Sequence, residues 1–258
     1  MAVVSARARL GSGVRVGPFA IVEDDVEIGE GCEIRAHAVI KRFTTLGAGC
    51  VVFEGAVLGN EPQDLSFKGA DSSLRVGERT VIREGVTLHR ANKPGAITVI
   101  GSDCFLMAYA HVAHDCQVGD RVIMANNVAL AGHVTIGDRA FLAGGVMVHQ
   151  FCHVGRLAMI GGKSKVVQDC LPFVTTDGAP ARAHGLNAVG LRRAGITAAE
   201  LLTLKTAHRT LLRAGLPLAE ALTRLDAMGE PLCAELAAFV RASQRGFAHA
   251  ARRGGSAE

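Results

Sequence analysis

Between positions 111 and 153 the chain carries five of its ten histidines: His111, His114, His133, His149 and His153. An imidazole takes up or releases a proton near neutral pH, so such a cluster suits general acid–base chemistry or the binding of a divalent metal. The intervals are regular. One constant step leads from His114 to Gly132 and from Gly132 to Gln150, and the same step leads from Asp115 to His133. If that step returns the chain to the same flank, His114 has a carboxylate beside it in sequence. On the adjoining turn it has a glycine whose N–H no side chain shields. Those parts are a general base, an acid that orients it and an oxyanion donor. The pairs His111/His114 and His149/His153 keep a second chemistry open, a zinc centre of three histidines.

The element that returns the chain is visible in the aliphatic residues. Stepping by six from Val4 to Val166 meets 28 positions, and 25 of them hold Val, Ile, Leu or Met. Six residues of α-helix turn roughly 600°, so these side chains would land roughly 240° apart rather than on one face. Six is a multiple of the strand period of two, so short strands joined by bends keep every sixth residue inward. Glycine follows the aliphatic residue at Gly11, Gly17, Gly29, Gly47, Gly119 and Gly137, which predicts bends of positive φ there. Four residues after the aliphatic residue comes a second small side chain, as at Ala20, Val26, Cys32, Ala38, Thr44, Cys50 and Ala56. This is the hexapeptide pattern of a parallel β-helix. Three hexapeptides make the step that links His114, Gly132 and Gln150. The three exceptions to the aliphatic phase, Asp64, Ala70 and Pro94, mark excursions near 60–75 and 90–98, after which the phase resumes. Loops on a rigid solenoid are where function concentrates.

Composition agrees with a core of small and β-branched side chains. Gly supplies 31 of 258 residues, and there is one Tyr and no Trp. Of seven cysteines, Cys32, Cys50, Cys104, Cys116, Cys152 and Cys170 occupy the small inward phase and only Cys233 lies elsewhere. They read as buried thiols of a reducing compartment rather than disulfides or a Cys-rich metal site. A net charge of +4 without a basic–aromatic platform argues against nucleic acid and slightly favours an anionic partner. The first residues lack a secretory apolar segment and no apolar run of membrane-spanning length exists, so the expectation is a cytoplasmic protein with no membrane span.

After PFVTTDGAPARAHGLN the strand period gives way to helical spacing. TAAE at 197–200 predicts a capping box with Thr197 as N-cap and Gly215 as stop. LPLAEALTRLDAMG and EPLCAELAAFVRASQRG predict two further amphipathic helices. The expected division is a β-helix over 1–186 and a helical domain over 187–258 that caps it and ends in a frayed GGSAE.

The repeat resembles that of the hexapeptide acyltransferase superfamily, which implies a mainly β fold: a left-handed parallel β-helix of about nine coils, three strands to a coil, followed by a small α-helical domain. HVAHDC (111–116), AGHV (131–134), VHQFC (148–152), PQDL (62–65) and GLNAVGLRR (185–193) narrow the resemblance. They are similar, in order and separation, to motifs of the UDP-N-acetylglucosamine O-acyltransferase family that begins lipid A synthesis. That resemblance implies transfer of a 3-hydroxyacyl chain from acyl carrier protein to the sugar 3-hydroxyl, with no covalent acyl-enzyme and no cofactor beyond the carrier thioester. His114 is then the general base, Asp115 its orienting partner and the Gly132 N–H the oxyanion donor. Asp64, His111, His133 and Gln150 hold the sugar and phosphates with His149 nearby, Asn187 and Arg193 contact the nucleotide, and Gly162 stands where the acyl chain ends. A homotrimer with sites between neighbouring solenoids is also implied.

Departures from the family pattern bear on the acceptor. Ser66 stands where many relatives have Lys, Val189 where some have a carboxylate, and HRANKPGAITVIG is compacted. They leave N-acylation of a UDP-amino sugar as the alternative. A zinc lyase resembling γ-type carbonic anhydrase and a non-catalytic scaffold are weaker alternatives. Arg121, Arg139 and Arg156 suggest a basic rim for an acidic carrier.

Overall fold

The structure, a computed structural model, describes residues 1–251; the GGSAE segment expected to fray lies outside the described residues. Two-residue strands recur at the hexapeptide period and stack into three parallel faces, from Val3–Val4 through Lys165–Val166. Partners on neighbouring coils are three hexapeptides apart, as in Val3↔Ile21 and His111↔Ala129. The periodic aliphatic residues from Val22 onward point inward and form one continuous core with the second small residue, including Ala20, Cys32, Ala38, Cys50 and Ala56. This is the left-handed parallel β-helix of hexapeptide repeats, with helices after it. All seven cysteines are free and buried.

The expectation for the glycines needs correction. The left-handed backbone falls at the third position after the aliphatic residue, not the first. It is met without a break from Gly13 to Gly55 and from Asp103 to Lys163, mostly by non-glycine residues such as Phe19, Asp115, Arg139 and Phe151. Each such residue costs roughly 1–2 kcal/mol in isolation, and the stacked coil over-determines it. The glycine directly after the aliphatic residue answers a different demand, close approach. A Cβ at Gly137 would lie 2.5 Å from the backbone N of Arg156, and one at Gly29 2.6 Å from that of Ala48.

Both excursions leave the solenoid at one corner, on successive coils, after the strands Val57–Asn60 and Thr87–His89. Their partners show why the phase survives. Val57 pairs with Thr87 and Thr87 with His111, steps of five and four hexapeptides in place of three. The excursions therefore insert whole hexapeptides, two in the first and one in the second.

At the far end the strand pattern outlasts the repeat. Val174–Gly178 and Ala181–Leu186 form an antiparallel hairpin that extends the third face. A short helix that the periodicity does not signal follows, α1 (Ala188–Arg193). The three expected helices are α2 (Ala198–Leu212), α3 (Leu218–Asp226) and α4 (Pro231–Ala242), with the Thr197–Glu200 capping box formed. Leu171, Val174, Leu225, Leu236 and Phe247 join hairpin and helices in a second core. None of the described helices is long and apolar enough to cross a membrane.

Candidate active site

His114 is the second residue past Val112 at the corner where the excursions depart, and Gly132 and Gln150 occupy the same place on the next two coils. The stacking is direct: the His133 N–H donates to the His114 carbonyl at 3.0 Å and the Phe151 N–H to the Gly132 carbonyl at 3.2 Å. A Cβ on Gly132 would lie 2.6 Å from both Cε1 and Nε2 of His114. The imidazole therefore rests on the bare glycine. Among the described residues no protein group accepts the Gly132 N–H.

The two edges of the His114 ring face different carboxylates. Nδ1 is 2.7 Å from Asp115 Oδ2, a hydrogen bond that puts the ring proton on Nδ1 and leaves the Nε2 lone pair toward the cleft. Nε2 is 3.6 Å from Asp64 Oδ2, too far for a hydrogen bond. Asp115 is fixed in turn by its own N–H, which donates to Thr98 Oγ1 at 2.8 Å, and by the Asn92 N–H, which donates to Oδ2 at 3.0 Å. Asp64, carried on the first excursion, accepts the Ser66 N–H at 2.8 Å. That bond and the Ser66 hydroxyl, with His114 and His133 behind them, hold its carboxyl below the usual range. His133 meets His114 edge-on at 5.2 Å and stacks on Phe151 at 4.6 Å.

His111 Nδ1 lies 2.7 Å from Thr87 Oγ1, and burial lowers its proton affinity. Behind it the buried His89 packs edge-on at 5.0 Å. Burial, then the neighbouring His111 and His114, brings His89 down to about 4.

A cleft of about 800 Å³ runs from this corner across the first face. Asp64, His111, His114, Gly132, His149 and Gln150 line it, so six of the expected residues share one wall with Ala129, Met147 and Lys165. Gly162 sits at the opposite corner, next to the lining residues Lys163 and Ser164; a Cβ there would make only an ordinary 3.5 Å contact with Gly144 O. Asn187 and Arg193 are not brought to His114. They line a second cleft of about 740 Å³ on the third face, with Arg121, Arg139 and Val189. Asn187 also caps α1, accepting the Gly190 N–H at 3.0 Å and donating to Leu157 O at 3.0 Å.

Two further expectations are resolved by contacts. Arg156 does not belong to a free basic rim, because Glu235 of α4 holds its guanidinium in hydrogen bonds of 2.8–3.2 Å. His153 is on the second face with Asp169 and Arg245, away from the wall that holds His114. His114, Asp115 and His133 can each offer one ligand atom to a metal, all within 4.8 Å. In the structure Asp115 Oδ2 instead accepts two N–H groups. Sequence reasoning misses Asn92, His89, Thr87 and Thr98. None of them belongs to a stacked column with His114, so the spacing of the coils gives no signal for them.

The chemistry of this corner can be set beside known proteins. A profile of domain 2 of UDP-N-acetylglucosamine O-acyltransferase matches residues 169–248, and bacterial transferase hexapeptides match residues 7–42 and 97–132. The chain is 44% identical over 254 residues to the acyl-[acyl-carrier-protein]–UDP-N-acetylglucosamine O-acyltransferase of Paraburkholderia phymatum, covering 95% of this chain and 97% of that one. To the relative of the same name in Gloeothece citriformis it is 43% identical over 175 residues, 68% of this chain; the match spans 63% of that relative's length. The solved UDP-N-acetylglucosamine acyltransferase of Bacteroides fragilis superposes with a TM-score of 0.93 at 35% identity, covering 95% of this chain and 97% of that one. With repeats, excursions and helical end all included in matches of this length, the chain belongs to the acyl-[acyl-carrier-protein]–UDP-N-acetylglucosamine O-acyltransferase family.

Proposed function

We propose that this acyltransferase moves a 3-hydroxyacyl chain from the thioester of acyl carrier protein to the 3-hydroxyl of UDP-N-acetylglucosamine, the first step of lipid A synthesis, with His114 as general base. The observation that carries the reading is the His114 ring, oriented by Asp115 at 2.7 Å and resting on the bare Gly132. Nε2 takes the proton of the acceptor hydroxyl as its oxygen attacks the thioester carbonyl. The Gly132 N–H receives the developing oxyanion. Collapse of the tetrahedral intermediate expels the carrier thiolate, which recovers the proton from His114. No acyl-enzyme and no cofactor enter.

Asp64, His111, His133, His149 and Gln150 bind the sugar and phosphates, and the open turn at Gly162 leaves room for the acyl end. Asn187 and Arg193 act on the nucleotide from a neighbouring copy in a homotrimer, which reconciles their separate cleft with a single site. The enzyme works in the cytoplasm, and the exposed Arg121 and Arg139 remain available to an acidic carrier.

Mass spectrometry tests the reaction. With 3-hydroxyacyl carrier protein, UDP-N-acetylglucosamine gives a singly acylated product that is lost in His114→Ala. Because Ser66 and Val189 differ from the family pattern, a parallel reaction uses the 3-amino sugar. Product from the amino sugar alone would establish N-acylation instead.

A further inference from the structure

We propose that Asn92 is a positioning residue that keeps the catalytic imidazole open, by holding Asp64 away from the Nε2 edge of His114 while its own N–H fixes Asp115 on the Nδ1 edge. The inference rests on the acyl-transfer reading of the cleft and adds a residue to it.

Asn92 is rigidly placed. The two excursions are joined along their length: the Arg90 N–H donates to Asn60 O at 3.0 Å, the Ala91 N–H to Ser73 O at 3.3 Å and the Gly95 N–H to Asp71 O at 2.9 Å. The buried Ser72 hydroxyl donates to Ala91 O. Arg90, 4% exposed, reaches Glu61 at 3.2 Å and lies 5.5 and 5.3 Å from the ring centres of Phe43 and Phe67. From this double loop Asn92 makes three polar contacts: N–H to Asp115 Oδ2 at 3.0 Å, Nδ2 to Ser66 Oγ at 3.0 Å, and Nδ2 to Asp64 Oδ2 at 3.5 Å. One residue thus touches the carboxylates on both edges of the base.

The orientation of the amide follows from charge. Turned over, Oδ1 would face the Asp64 carboxylate with no proton between them, so the amide donor points to Asp64 and Oδ1 is left buried without a partner. Asp64 is held by the donors of Ser66 and Asn92 and stands 3.6 Å from Nε2 of His114. A carboxylate that closed that gap would fill the space through which the acceptor hydroxyl must reach the Nε2 lone pair. The amide of Asn92 opposes the closure, and Asn92→Ala removes the amide while retaining the N–H to Asp115.

The test is a double-mutant cycle in which Asp64→Asn removes the charge that Asn92 restrains, read as kcat/KM for UDP-N-acetylglucosamine and as the melting temperature of each variant. Asn92→Ala is expected to lower kcat/KM about 10- to 100-fold, the scale of a misplaced reacting group. Adding it to Asp64→Asn is expected to cause little further loss, because the two changes act on one contact. Losses that multiply, or a loss in Asn92→Ala matched by a fall in melting temperature and an equal weakening toward the acyl donor, would overturn the inference and reduce Asn92 to a structural role. Wild-type rates in Asn92→Ala would also overturn it. Absence of acylated product from the wild-type chain would instead overturn the acyl-transfer reading, and this inference with it.

Discussion

Two corners of the same solenoid use glycine for different ends. At the corner after the second face, Gly11, Gly29, Gly47, Gly77, Gly101, Gly119, Gly137 and Gly155 follow the aliphatic residue on every coil, and a Cβ at any of them would lie under 3 Å from the next coil. At the corner after the first face the column through Asp24, Arg42, His114, Gly132 and Gln150 has no common residue type. Its glycine is demanded by an imidazole rather than by backbone. What recurs on every coil maintains the stack, and what breaks the recurrence serves chemistry. Both excursions leave from the irregular corner, on the coils directly before His114.

Substitutions separate the two uses. Gly132→Val drives a side chain into His114 and is expected to lower turnover by about 10²–10³-fold with little change in melting temperature; steady-state rates beside a thermal melt check both halves. Stability should respond to acid through His89 in the same corner. It titrates at about 4 in the folded chain and at about 6.5 when unfolded. The unfolded chain takes the proton first as pH falls, so stability is intact above about pH 6.5 and declines to about pH 4, by about 3 kcal/mol in all. Denaturation of wild type and His89→Asn at several pH values checks this, the variant giving the flatter dependence.

At the regular corner the effect changes kind. Gly137→Ala presses on the backbone of Arg156 and is expected to cost about 1–3 kcal/mol of stability while the chemistry of surviving folded protein stays close to normal, as denaturant melts and active-site-normalised rates would report. Smallest of all is the exposed ladder of ion pairs on the first coils. Replacing Glu27, the partner of Arg9, by Gln should change stability by less than about 1 kcal/mol, again by denaturant melt.

The fold is legible in the sequence because one periodicity carries it. An inward aliphatic residue at every sixth position specifies both strand and stack, and insertions of whole hexapeptides preserve the phase. The reason for the glycines is not legible, since sequence does not distinguish a left-handed bend from a close approach of chains. Nor is the hairpin at 174–186, whose pairing is antiparallel and outside the repeat. In the site, the spacing of the coils places His114, Gly132 and Gln150 on one column without further help. Asn92 and His89 escape it because they approach from the excursion and the coil before it, where spacing no longer measures distance. Arg156 misleads for a related reason: its partner Glu235 lies in α4, beyond the repeat.

The central claim is that the irregular corner performs proton transfer through His114. Replacing His114 by Ala and measuring single-site acyl transfer together with the melting temperature tests it most directly. The account predicts a loss of about 10²–10⁴-fold in turnover with the melting temperature close to that of wild type. Near-normal turnover in that variant would contradict it.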